Sequence, residues 1–120
     1  MTLNEYQKLA MRTCLPKSRN TLYMLSEIAE EVGELHGKFA KAIRHGALVF
    51  NNNDYESKMS ADEYVEWLDS VIAEAGDILW GLAGLASVLE VNLEEIGQEN
   101  LNKLASRQKR NKIDGAGDNR

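Results

Sequence analysis

From Val65 to Leu89, apolar side chains recur at intervals of three and four residues: Val65, Leu68, Val71, Ile72, Ala75, Ile78, Leu79, Leu82, Leu85, Ala86 and Leu89. That spacing belongs to an α-helix; a half-buried strand would alternate every second residue. Ser60, followed three residues later by Glu63, is a capping-box signature, so the helix starts near Ala61 and can reach Glu90. A helix apolar on so many sides needs neighbours, which predicts a helical bundle with this segment as its most buried member. One proline in 120 residues leaves little to interrupt helices elsewhere.

The rest of the chain fits that frame. Leu3, Tyr6, Leu9 and Ala10 make Thr2 to about Thr13 an amphipathic helix with Thr2 as N-cap. The segment Cys14–Asn20 breaks it around Pro16. A second helix is predicted from Thr21 to Arg44, with Leu22, Leu25, Ile28, Val32, Leu35, Phe39 and Ile43 as its stripe and His45-Gly46 as its end. Asn51-Asn52-Asn53-Asp54 reads as the start of a flexible polar loop, and Asn92 with Glu95 caps a fourth helix running to about Arg110. Gly33 and Gly37 suggest the close approach of a backbone or ligand, and Gly76, Gly81 and Gly84 close helix packing. The expectation is one all-α domain over residues 1–120, a four-helix bundle, with about 111–120 a flexible tail lacking a packing pattern.

Charge and cysteine content narrow the classes of function. Residues 1–102 hold 17 acids and 8 bases, whereas 103–120 hold 6 bases and 2 acids. Nucleic acid is therefore not expected as a partner, while the basic end suits phosphate. The single cysteine, Cys14, fits a reducing cytoplasm. The uncharged run Ile78–Leu89 is too short to span a bilayer, so no membrane is expected.

On a helix, Glu27, Glu31 and Glu34 share one face and Glu30 borders it; Glu74 and Asp77 repeat the three-residue spacing on the apolar helix. Lys38 is the first base on the first of these faces, so the repulsion lacks nearby compensation and an external cation is implied. Facing carboxylates make an all-oxygen site suited to Mg²⁺, Mn²⁺ or Ca²⁺. A di-iron bundle would need Glu-x-x-His, but His36 and His45 follow Gly33 and Ala42 at that spacing. Asn100, Lys103 and Arg107 form a cationic face, expected to be exposed at a helix end, where it can serve phosphates or simply the helix dipole. Trp67, two turns before Glu74, is a candidate for stacking on a nucleobase, with packing as the commoner use of such a residue.

Glu30-Glu31-x-x-Glu34 followed by Glu74-x-x-Asp77 resembles the EExxE…ExxD signature of MazG-like nucleotide pyrophosphohydrolases, the all-α NTP pyrophosphatases. Asp77-Ile-Leu-Trp80, Asn100-x-x-Lys103-Leu-x-x-Arg107 and the terminal Gly115-Ala-Gly-Asp-Asn-Arg120 extend the likeness to small phage or bacterial members. The resemblance implies a homodimer or homotetramer that hydrolyses (d)NTP to the monophosphate and pyrophosphate with Mg²⁺, Mn²⁺ being a substitute. By motif, Glu31, Glu34, Glu74 and Asp77 would be metal ligands and Glu30 would orient or deprotonate the attacking water. Asn100, Lys103 and Arg107 would contact sugar or phosphates. The interval from Leu35 to Ala73 is longer than is common in the family, so the nucleobase does not transfer. Two other readings stand beside this one. They are an all-α deoxyuridine-nucleotide hydrolase and a non-enzymatic helical module with a structural cation.

Overall fold

The computed structural model describes residues 1–52 and 54–119. Four helices form among them: α1 (Leu3–Ala10), α2 (Thr21–Arg44), α3 (Ala61–Val88) and α4 (Leu93–Lys109). Their starts follow the caps. Thr2, Ser60 and Asn92 each accept from the amide three residues on, and Glu5, Glu63 and Glu95 return the bond to the cap amide. Asn20 caps α2 by accepting from the Tyr23 amide at 2.8 Å. The first helix continues as a 3-10 turn over Met11–Thr13, and a second such turn, Pro16–Ser18, has its proline at the first position.

Helices α2 and α3 pack antiparallel, with glycines setting their separation. A Cβ at Gly81 would lie 2.6 Å from Ile28 Cγ1, and one at Gly84 would run into the fully buried Met24 side chain. A step of four residues along α2 thus matches a step of three back along α3. Gly84→Val should therefore force the helices apart and cost about 1–3 kcal/mol, read as a lowered midpoint in denaturant unfolding. By contrast, Gly33, Gly37 and Gly76 have nothing near a would-be Cβ. Among the described residues, no other part of the chain makes the close approach expected there.

The short α1 ties the far end of α3 to α4. Buried Gln7 accepts from the Leu93 amide at 2.8 Å and donates to Ser87 Oγ at 2.9 Å and to the Val91 carbonyl at 3.1 Å. Leu93 packs with Ala83 and Ala86, and Tyr6, Ala10, Met11 and Leu79 surround them. Trp80 Nε1 donates to Thr13 Oγ1 at 2.8 Å.

Three expectations need correction or qualification. The segment expected as a polar loop contains a hairpin: β1 (Leu48–Asn51) pairs antiparallel with β2 (Asp54–Ser57), with Phe50 opposite Tyr55 and Asn51 opposite Asp54. Asn52, at φ 60°, adopts the left-handed conformation that asparagine tolerates in such turns. Phe39, Tyr55 and Trp67 then meet edge-to-face, which holds the hairpin against α2 and α3.

Second, α3 holds the most buried residues of the four helices, as expected, but the described chain leaves much of its apolar surface uncovered. Its buried residues are the small Gly81, Ala83, Gly84 and Ala86, whereas Ile72 is 60% exposed and Val65 and Leu89 are also open. One chain covers only one side of a helix that is apolar on several. The accessible surface is 8703 Å², against about 6,500 Å² for a compact monomer of this mass. The radius of gyration is 17.8 Å, against about 14 Å. On length and composition alone α3 could also cross a bilayer, which the uncharged run by itself did not suggest. Glu74 and Asp77 near its middle, and α2 along its side, argue for helix packing instead.

Third, the tail is tied back rather than free of packing. Asp118 accepts from Lys103 Nζ at 3.2 Å and from Arg107 at 3.1 Å, and Arg107 also donates to the Gly117 carbonyl. Gly117, at φ 78°, allows the reversal. The link is ionic, so no apolar period announced it.

Candidate metal centre

The helix register that seats Met24 against Gly84 and Ile28 against Gly81 brings the next acidic turn of α2 opposite the next acidic turn of α3. Carboxylate oxygens of Glu31, Glu74 and Asp77 lie within 4.8 Å of one another. Glu31 and Glu74 are half-buried and Asp77 is exposed. Further along the same seam, Lys38 Nζ stands 3.2 Å from Glu74 Oε1, and Trp67 Nε1 donates to the Lys38 carbonyl at 3.1 Å.

The electrostatics are those of a site short of positive charge. Partial burial pushes the Glu31 carboxyl above its ordinary range, and Asp77, Glu27, Glu74 and Glu30 push it further in the same direction. Tyr6, reaching in from α1, has its phenol raised by burial and then by Asp77. The expectation of wholly uncompensated acids is corrected at one point. Lys38, seven residues beyond Glu31 and two helical turns along, neutralises Glu74. The donor set fits a hard divalent cation: three carboxylates, oxygen only, with surplus negative charge.

The other motif residues are spread more widely. Glu30 is exposed beside Glu31, and Glu34, one turn on, is exposed and outside the group of three. Trp67 sits in the aromatic cluster with Phe39, Tyr55 and Tyr64, its indole N–H engaged by the backbone. It therefore has a packing role. Asn100 and Lys103 line an open cavity of about 480 Å³ with Val91, Glu95, Ile96 and Glu99.

Arg107 was expected to be exposed and is instead 5% exposed, because Asp118 and the Gly117 carbonyl fold over it. The Asp118 carboxyl is held below its usual range by Lys103 first and then Arg107. Among the described residues no hydrogen bond or ion pair joins Asn100, Lys103 or Arg107 to the three carboxylates. Arg19, in the α1–α2 connection, donates to the Met11 and Cys14 carbonyls and so braces that turn. Sequence reading passed over Tyr6 and Asp118, since a contact across 71 residues or within a glycine-rich tail leaves no periodic trace.

The family model for the MazG nucleotide pyrophosphohydrolase domain matches residues 19–111, which include both acidic pairs and all of α4. A relative from Mycobacterium phage L5, the Gene 37 protein, is 36% identical over 100 residues, covering 82% of this chain and 75% of the relative. No solved structure matches.

Proposed function

The chain belongs to the MazG nucleotide pyrophosphohydrolase family, and from that premise we propose that it hydrolyses (d)NTPs to (d)NMP and pyrophosphate with Mg²⁺, as a house-cleaning or pool-balancing enzyme of the cytoplasm. The observation that carries this reading is the convergence of Glu31, Glu74 and Asp77 within 4.8 Å, with Glu31 pushed up by partial burial and then by the neighbouring carboxylates. In this reading those three, with Glu34 closing from the next turn, hold the ion. When bound, the ion neutralises phosphate oxygens and lowers the pKa of water. Glu30 orients the attacking water and takes its proton. Lys103 and Asn100 offer donors to phosphate and sugar. Arg107, buried under Asp118, supports the end of α4.

We further propose that the working form is a homodimer or larger assembly. The excess surface, about 2,000 Å² over a compact monomer, is in the range that obligate interfaces bury. Leu22, Leu25 and Val32 on α2 and Val65, Leu68 and Ile72 on α3 supply exposed apolar stripes for it. Assembly also offers a way to bring the cationic face of α4 to a carboxylate centre from which it is separated within one chain.

The test is turnover of a panel of (d)NTPs, dUTP included, in ¹⁸O-water with Mg²⁺, followed by phosphorus NMR. Nucleoside monophosphate and pyrophosphate are expected as the primary products. Nucleoside diphosphate with orthophosphate would overturn the reaction. Turnover confined to dUTP would move the chain to the deoxyuridine-specific class.

A further inference from the structure

Lys38 reaches the carboxylate centre from outside the acidic motifs. Its ammonium lies 3.2 Å from Glu74 Oε1, with the lysine side chain 31% and the glutamate 16% exposed. The pair is shielded enough to matter and open enough to exchange. Its backbone is fixed, because Trp67 donates to the Lys38 carbonyl at 3.1 Å and packs against Phe39 at 4.9 Å. The four-carbon stem beyond that anchor is free to swing. On its other side lies an open cavity of about 350 Å³, whose lining includes Lys38, Lys41, His45, Glu63, Glu66 and Trp67. Glu63 is occupied there in capping α3 at Ser60.

We propose that Lys38 is the resident counter-ion of the centre: it holds Glu74 while the site is metal-free, must be displaced for Glu74 to join a divalent cation, and is thereby released towards the anionic substrate. The proposal rests on reading the three carboxylates as a metal centre. One ammonium and one divalent ion draw on the same Glu74 carboxylate and repel each other across it, so each weakens the other's hold. Lys38 therefore sets the affinity of the site from below, and keeps the metal-free centre from carrying its full negative charge.

The experiment is titration of the metal-free protein with Mn²⁺, free ion being read by electron paramagnetic resonance. Wild type, Lys38→Met, Lys38→Gln and Lys38→Arg are compared, and circular dichroism selects the neutral variant that keeps the native spectrum. The neutral variant is expected to bind Mn²⁺ about ten-fold more tightly, the effect of removing a nearby unit charge at partly exposed separation. It should melt lower than wild type in EDTA, with the gap closing at saturating Mn²⁺. Lys38→Arg should stay near wild type. With saturating metal, the neutral variant should also show a raised KM for nucleotide. Equal or weaker Mn²⁺ binding by the neutral variant overturns the counter-ion role while leaving the metal centre standing. Failure of the wild type itself to bind Mn²⁺ overturns both.

Discussion

Glu31→Gln is expected to lose at least 10³-fold in turnover, about 4 kcal/mol of transition-state stabilisation, while the metal-free protein melts at the same temperature as wild type or higher. Outer-shell partners of a metal typically account for about 10–100-fold, so a larger loss identifies a direct ligand. The stability half of the prediction follows from the sign of the shift. The Glu31 carboxyl titrates above its ordinary 4.5 in the folded state. Within the window from that ordinary value up to the raised one, the folded chain binds more protons than the unfolded chain. Stability therefore falls as pH climbs through the window. Glutamine carries no charge to repel, so the variant escapes this loss. The difference in melting temperature in EDTA should be present at neutral pH and should vanish below the ordinary glutamate range.

Glu74→Gln makes the contrast. It should be as inactive, but it deprives Lys38 of its partner and so should gain nothing in EDTA. Calorimetry across pH, with and without Mg²⁺, checks both variants. If Glu31→Gln is less stable than wild type at every pH and keeps its activity, the carboxylates are ordinary structural charges.

Ile72→Asp is expected to dissociate the protein, weakening self-association at least 100-fold, about 2.7 kcal/mol. In a monomer, a residue 60% exposed could take a charge with a stability change within about 0.5 kcal/mol. In an assembly, the same residue lies in an apolar contact where an unpaired carboxylate is costly. Light scattering should show the wild type as a dimer or larger and the variant as a smaller species. The melting temperature of the wild type should rise with protein concentration, as it does when association stabilises the folded form. A wild type that is monomeric and active over a wide concentration range would remove the assembly from the proposal.

What the sequence determined by itself is local. The caps at Ser60 and Asn92 and the three-to-four apolar period placed α2, α3 and α4 nearly to the residue, because capping and amphipathicity act within a few positions of chain. The paired acids could be read as a site for the same reason: a three-residue interval on a helix already means a shared face. The tertiary structure decided how the faces meet. The seating of Gly81 on Ile28 and Gly84 on Met24 chose the helix register, and that register put Glu31 with Glu74 and Asp77 while leaving Glu34 outside. It also delivered Lys38 to Glu74 and Tyr6 to the neighbourhood of Asp77. Each of these depends on the separation and rotation of packed elements, which a one-dimensional pattern of polarity does not encode. The same holds for the apolar sides of α3. Their composition announced that something must cover them, and only the packed chain showed that its own helices leave much of that surface bare.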